Sequence, residues 1–271
     1  MMRWIFAVLA LTQIELALAA PSLPLYGGGF MRSTTSNRRN LRVRRQLVEQ
    51  LEERADAQTS LTLDPSQIQN ASSIDGLAGA ANGTVASATS NNNFINFCLT
   101  QTGVAITNGT QNRNGSCNPT PMGRILGFDV MPSTKFLSPV NLGTIAANKT
   151  FTVKLTVANL QTGHFTNPDT TYFAAPAQVN TKGHLVGHTH IVIQQVPSLN
   201  STAIPDPRKF AFFQGVNGKA TADVLNATVT GGLPAGVYRM GSITTASNHQ
   251  PALVAVAQHG MLDDTIYFTV S

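Results

Sequence analysis

The sequence predicts a mainly β protein, a single antiparallel β-sandwich-like domain over residues 94–271 behind a short helical and flexible N-terminal arm. Three observations lead there. Phe151-Thr152-Val153-Lys154-Leu155-Thr156-Val157 alternates apolar and polar residues strictly, so every second side chain points to one face, as in a half-buried strand. Further strand-like runs cover 188–195, 221–229, 237–243, 253–257 and 265–270. Turn clusters such as Gly231-Gly232-Leu233-Pro234-Ala235-Gly236 separate them and no long helical period intervenes, which is the pattern of a sandwich or barrel. The span suits one such domain.

Upstream, Arg3 precedes the apolar run Trp4 to Leu11, and small residues at Ala17-Leu18-Ala19-Ala20 lead into Pro21. That order matches a secretory signal peptide over 1–20. The apolar run is shorter than the roughly 20 residues of a membrane helix, and no other stretch approaches that length, so no membrane association is expected after signal removal. The sequence closes on the strand-like Thr265–Ser271 and not on the hydrophobic tail of a glycolipid anchor.

A basic leader is expected over 21–45. The formal net charge is +5, yet seven of the 18 Lys and Arg residues fall within the first 45 positions, and from Gln46 onward 11 basic residues face 12 acidic ones. The charge therefore belongs to the leader and does not mark a nucleic-acid surface. Arg44-Arg45 is a dibasic processing site for proteases of the late secretory pathway, or else part of a basic arm that stays attached.

Residues 46–93 read as a flexible arm. Leu47 and Leu51 lie one helical turn apart among glutamates, too short a helix to stand alone. Asp64-Pro65 offers a cap and first-turn proline for a second short helix. From Asn70 to Asn93 the sequence is largely Ala, Ser, Asn, Gly and Thr, a linker composition.

Cys98 and Cys117 are the two cysteines, and in an oxidising compartment they pair by default. A loop of that size stabilises by about 3 kcal/mol through the entropy it removes from the unfolded chain. Seven acceptor sequons, at Asn70, Asn82, Asn108, Asn114, Asn148, Asn200 and Asn226, fit the same route.

Several blocks along the domain are familiar as a set: Asn92-Asn93-Phe94-Ile95-Asn96-Phe97-Cys98, Gly115-Ser116-Cys117-Asn118-Pro119-Thr120-Pro121-Met122-Gly123, Gly187-His188-Thr189-His190, Phe210-Ala211-Phe212-Phe213, Gly232-Leu233-Pro234-Ala235-Gly236-Val237-Tyr238-Arg239 and Asn248-His249-Gln250-Pro251. Together they resemble a group of secreted fungal proteins, most of them uncharacterised, many carrying a ribosomal-protein label that a signal peptide contradicts. The resemblance implies fungal origin and secretion and brings no catalytic residues with it.

The six histidines, His164, His184, His188, His190, His249 and His259, all lie after residue 160. Residues two apart on a strand share a face, so His188 and His190 present adjacent imidazoles while Ile191 and Ile193 point the other way. That spacing suits two ligands of one Zn²⁺ or Cu²⁺ ion, with His249 or His259 as a third ligand and Asp263 or Asp264 as ligand or supporting partner. The competing reading has these histidines capping strand ends and bonding backbone groups.

Other chemistries find less. A blue-copper centre needs a cysteine thiolate, and the copper oxygenases that use an N-terminal histidine need one at the mature terminus, where cleavage would leave Ala20, Pro21 or Gln46. No glutamate follows Glu53, which removes the usual glycosidase pair and leaves aspartates such as Asp263-Asp264. No Gly-x-Ser-x-Gly elbow or phosphate loop occurs. A carbohydrate-binding surface could use Tyr172-Phe173, Phe212-Phe213 or Tyr238, aromatics that serve equally as core. The expected protein is thus secreted, glycosylated and non-catalytic, extracellular or wall-associated, a candidate effector with wall polysaccharide or a host protein as partner. A zinc or copper protein, or a metal-dependent hydrolase, is the alternative, and a carbohydrate-binding module a further one.

Overall fold

The structure, a computed structural model, describes residues 43–46 and 57–271. The chain divides into two units, Met1–Gln67 and Ile68–Ser271. In the first, residues 43–46 are helical and exposed, Arg44 and Arg45 among them. The signal peptide expected over 1–20, the rest of the leader and the helix expected near 47–54 lie outside the described residues. The second expected helix is one 3-10 turn, Pro65–Gln67, with the Asp64 carboxylate accepting the Ser66 N–H at 2.8 Å.

Nine strands are described in the second unit: β1 (Ser133–Ser138), β2 (Thr144–Ile145), β3 (Phe151–Ala158), β4 (Leu160–Gln161), β5 (Leu185–Val196), β6 (Phe212–Val216), β7 (Val224–Val229), β8 (Gly236–Ala246) and β9 (Thr265–Val270). They form two sheets. One has the order β1-β3-β7 and the other β2-β9-β8-β5, with β4 and β6 sharing the outer edge of β5. The long pairs are antiparallel, while β2 with β9 and β4 with β5 make two-residue parallel contacts at the margins.

Alternation in the strands explains the sandwich. In β3, Val153, Leu155 and Val157 are buried and the residues between them face outward. They meet Leu225, Ala227 and Val229 of β7 and Phe136 of β1 on one sheet, and Ile191, Ile193, Tyr238, Met240, Ile266, Phe268 and Val270 on the other, in one continuous core. A second apolar cluster gathers Leu126, Ala177, Leu185 and Ala246 at the far end of β5.

Two strand expectations are corrected. Residues 253–257 form no strand, because this segment lies along Leu126, whose N–H donates to Leu253 O and whose carbonyl accepts the Ala255 N–H, both at 2.8 Å. The strand expected from Thr221 begins at Val224, because Ala222 and Asp223 both have positive φ, the backbone of a tight two-residue hairpin turn. Strands β1, β2, β4 and β6 carry weaker sequence patterns and go unpredicted.

The disulfide expected between Cys98 and Cys117 is present. It anchors an irregular loop in which Thr107 N–H donates to Cys117 O and Cys117 N–H to Ala105 O. All seven sequon asparagines are exposed. Phe268 is fully buried, stacked 5.7 Å from Tyr238 and edge-on to Phe151 at 6.3 Å. Phe268→Ala should therefore lower the unfolding free energy by about 3–5 kcal/mol, read from urea denaturation of parent and variant.

Candidate metal centre

The outer face of the larger sheet is built from the register of its two longest strands. β5 and β8 pair antiparallel so that His188 lies opposite Thr245 and His190 opposite Ile243. Gly187 opens this pairing where the backbones crowd: a Cβ there would fall 1.9 Å from Thr245 O, so only glycine is accommodated. Beyond Ala246 the chain reverses at once, with Ala246 N–H donating to Gln250 O at 2.8 Å and His249 N–H to Ala246 O at 2.9 Å. His249 takes φ +74°, uncommon for a side chain other than glycine, and this returns its ring to β5.

Three imidazoles converge as a result. The Nε2 atoms of His188 and His190 are 3.1 Å apart, and the ring of His249 stands 4.8 Å from that of His188 and 5.7 Å from that of His190. One nitrogen from each lies within 4.8 Å of the other two. Two nitrogens sharing a tetrahedral zinc at 2.0–2.1 Å are about 3.3 Å apart, so the first pair already has the spacing of co-ligands. Bringing in the third takes a contraction of about 1.5 Å, within the reach of side-chain rotation.

Aromatic rings wall the cluster. Phe165 meets His188 and His249 edge-on at 5.2 and 5.5 Å, Tyr172 lies 5.2 Å from His249, and Phe213 lies 5.2 Å from His190. The segment carrying Phe165 and Tyr172 is irregular and held by its backbone. His164 N–H donates to Gly187 O, Thr166 N–H to Ser247 O, Phe173 N–H to Asn248 O and Tyr172 N–H to Gly109 O. Asn248 Nδ2 reaches Thr171 O at 2.8 Å, and Gln250 Nε2 bonds Ala175 O. The bond to Gly109 ties this cover to the disulfide loop. Gly109 has φ +75°, and a Cβ there would sit 2.1 Å from Thr170 O.

The histidines are held neutral. His188 is pushed down to about 4 by burial first, then by the charges that His190 and His249 would carry. His190 is pushed down to about 4 by burial and then by His249, while burial lowers His249 against a backbone hydrogen bond at Asn248. A neutral imidazole is the metal-binding form. His188 Nδ1 donates to His164 O at 3.2 Å, which fixes the proton on that atom and leaves the Nε2 lone pair facing the cluster. His249 Nδ1 is buried without a hydrogen-bond partner, and so is Gln250 Oε1 beside it. Such a group costs about 1–3 kcal/mol unless something satisfies it.

Of the four histidines expected as ligands, the fold brings His188, His190 and His249 together and leaves out His259. That residue is exposed, its Nδ1 donating to Gly260 O at 2.6 Å, just beyond the segment that docks against Leu126 in place of forming a strand. The two aspartates are engaged in structure. Asp263 Oδ1 accepts bonds from Ser242 Oγ, Thr244 N–H and Thr244 Oγ1, and Asp264 pairs with Lys135 Nζ and accepts the Phe136 N–H. Among the sugar-stacking candidates, Tyr238 belongs to the core, with its hydroxyl on Pro234 O, and Phe212 packs against that core. Tyr172 and Phe173 stack on each other at 4.1 Å, and Phe213 is half exposed. The wall formed by Phe165, Tyr172 and Phe213 has no sequence signal as a unit, since an irregular segment and a separate strand supply it.

Fold and site together define a mainly β protein with a largely buried histidine cluster on the outer face of its larger sheet. A family model described as the CLU5d N-terminal domain matches residues 134–271, just over half of the chain, and the chain belongs to that family. A relative in the fungus Colletotrichum graminicola, "Pathogenicity cluster 5 protein d", is 45% identical over 217 residues, which is 78% of this chain and 43% of the relative. The chain thus spans less than half of that relative's length. Among solved structures, fibronectin(III)-like modules of Clostridium thermocellum CbhA align at 12% identity with a TM-score of 0.25, over 51% of this chain and 45% of theirs. That likeness carries no argument. The fungal affiliation expected from the sequence blocks is thereby established.

The depressed histidines set an acid limit on the metal-free fold. Both His188 and His190 bind protons more weakly in the folded chain than at their ordinary 6.5, so the unfolded state takes up more protons between pH 6.5 and about 4. Stability contributed by keeping them neutral is complete above that window and lost as pH falls through it. Thermal midpoints of metal-free protein should fall from pH 7 to pH 4, and a His188→Gln variant should show a shallower fall in the same series.

Proposed function

We propose that this is a secreted fungal protein acting at the boundary with a host without catalysing a reaction, and that its working element is a zinc or copper ion held by His188, His190 and His249. The observation that carries the reading is the convergence of three neutral imidazoles, one with its tautomer fixed by a backbone carbonyl and one with a buried nitrogen lacking any partner. An all-nitrogen donor set suits zinc and copper and is poor for calcium or magnesium. The disulfide fits an oxidising compartment, and the exposure of all seven sequon asparagines fits glycosylation there. The name of the Colletotrichum relative, which refers to pathogenicity, supports a host-facing role.

Elemental analysis tests the metal. Protein purified from culture medium without chelator or affinity metal should carry near-stoichiometric zinc or copper, and a His188→Ala, His190→Ala double variant that retains the parent circular dichroism should carry none. A parent without metal even after dialysis against both ions, or a double variant that binds as well as the parent, would sink the reading.

A second reading rests on Phe210 and Phe213, 58% and 50% exposed with ring centroids 6.2 Å apart. Paired exposed rings are a platform for a sugar chain, and wall polysaccharide is the matching partner. Pull-down on chitin, glucan and cellulose should recover the parent but not a Phe210→Ala, Phe213→Ala variant. Recovery of neither removes the option.

A further inference from the structure

We infer that the ion held by His188, His190 and His249 keeps a fourth position open towards solvent on the His190 side and fills it with a small monovalent anion. The inference rests on the metal reading above and adds what the centre would bind.

Donor count comes first. Structural zinc sites are closed by four protein ligands, whereas sites with three leave an exchangeable position. Among the described residues the group contains three donors and no carboxylate or thiolate. Other donors of the chain are committed elsewhere: His164 Nε2 bonds Gln161 Nε2 at 2.8 Å, Asp263 and Asp264 serve β8 and β1, and both cysteines are in the disulfide.

Charge points to an anion. Three neutral imidazoles leave a divalent ion with its whole charge, inside walls made of Phe165, Tyr172 and Phe213. An uncompensated charge in apolar surroundings is costly, and a bound anion removes half of it. Thr245 places a hydroxyl 3.3 Å from His188 Nε2, where it can donate to a ligand on the ion.

Burial gives the direction. His188 is fully buried and His249 is 7% exposed, but His190 is only partly covered, and the residues beside it, Ile243 and Phe213, are 42% and 50% exposed. Phe165, edge-on to His188 and His249, is itself 41% exposed. Exposure on the His190 side gives a halide, azide or a single carboxylate a way in, and the neighbouring aromatic rings disfavour a bulky ligand.

The test uses Co²⁺ as a spectroscopic substitute in the full chain, in chloride-free buffer, with azide and then acetate as probes. One equivalent of cobalt should bind, and its visible absorption should shift saturably with each anion. Thr245→Val should weaken azide by about tenfold, the value of one hydrogen bond to a charged group, without weakening cobalt. Phe213→Trp should weaken acetate more than azide by narrowing the mouth. Cobalt bound with a spectrum indifferent to both anions would overturn this inference and leave the metal reading standing. Cobalt not retained by the parent would overturn both.

Discussion

The pairing of β5 with β8 is the constraint on which the rest depends. Its ten cross-strand pairs put both strands in the middle of the larger sheet, so one face of each must be apolar and the other must be covered by something else. The inner face meets this demand with Ile191, Ile193, Tyr238 and Met240. The outer face meets it with His188, His190 and Thr245 beneath an aromatic cover. A slip of one residue in this register would send the histidines into the core and the isoleucines to the cover. The same alternation that builds the hydrophobic interior therefore positions the polar cluster.

Much of this was legible in the sequence where side-chain alternation is strict. Phe151–Val157 and Thr265–Val270 announce their strands because every second residue is apolar, and His188 and His190 announce a shared face for the same reason. His249 was legible only as a nearby candidate, since a turn with a left-handed backbone, and not strand periodicity, carries it inward. His259 looked equivalent to it and is not, because the apolar residues after Pro251 dock on Leu126, a contact between distant segments that no local pattern encodes. The short strands β2 and β4 are two residues each and exist through their partners alone. Tyr172 reads as a sugar-stacking or core residue until the irregular segment bearing it is seen to be fastened across the histidines.

The cover and the disulfide loop form one construction. Tyr172 N–H bonds Gly109 O, Gly109 sits between Thr107 and Cys117-linked backbone, and Tyr172 in turn packs on His249. Backbone bonds at His164, Thr166, Phe173 and Asn248 compensate for the absence of regular structure, as buried peptide groups require. Aromatic rings therefore wall the site on one side and paired strands lie beneath it, with imidazole nitrogens, the Thr245 hydroxyl and Gln250 Oε1 among its few polar atoms. Such an interior discriminates by donor type and size, and offers little to a ligand needing many hydrogen bonds.

The polar stitching between β1 and the start of β9 carries a kinetic consequence. Thr134 Oγ1 meets Ser242 Oγ at 2.8 Å and accepts the Asp264 N–H at 3.0 Å, joining positions 108 and 130 residues apart. Strand β9 comes last of the strands in chain order, yet it lies between β2 and β8. The larger sheet cannot close without β9, and loops of this length are entropically slow to shut. Folding should thus be a concerted event dominated by non-local pairing, with relaxation times on the order of milliseconds to seconds.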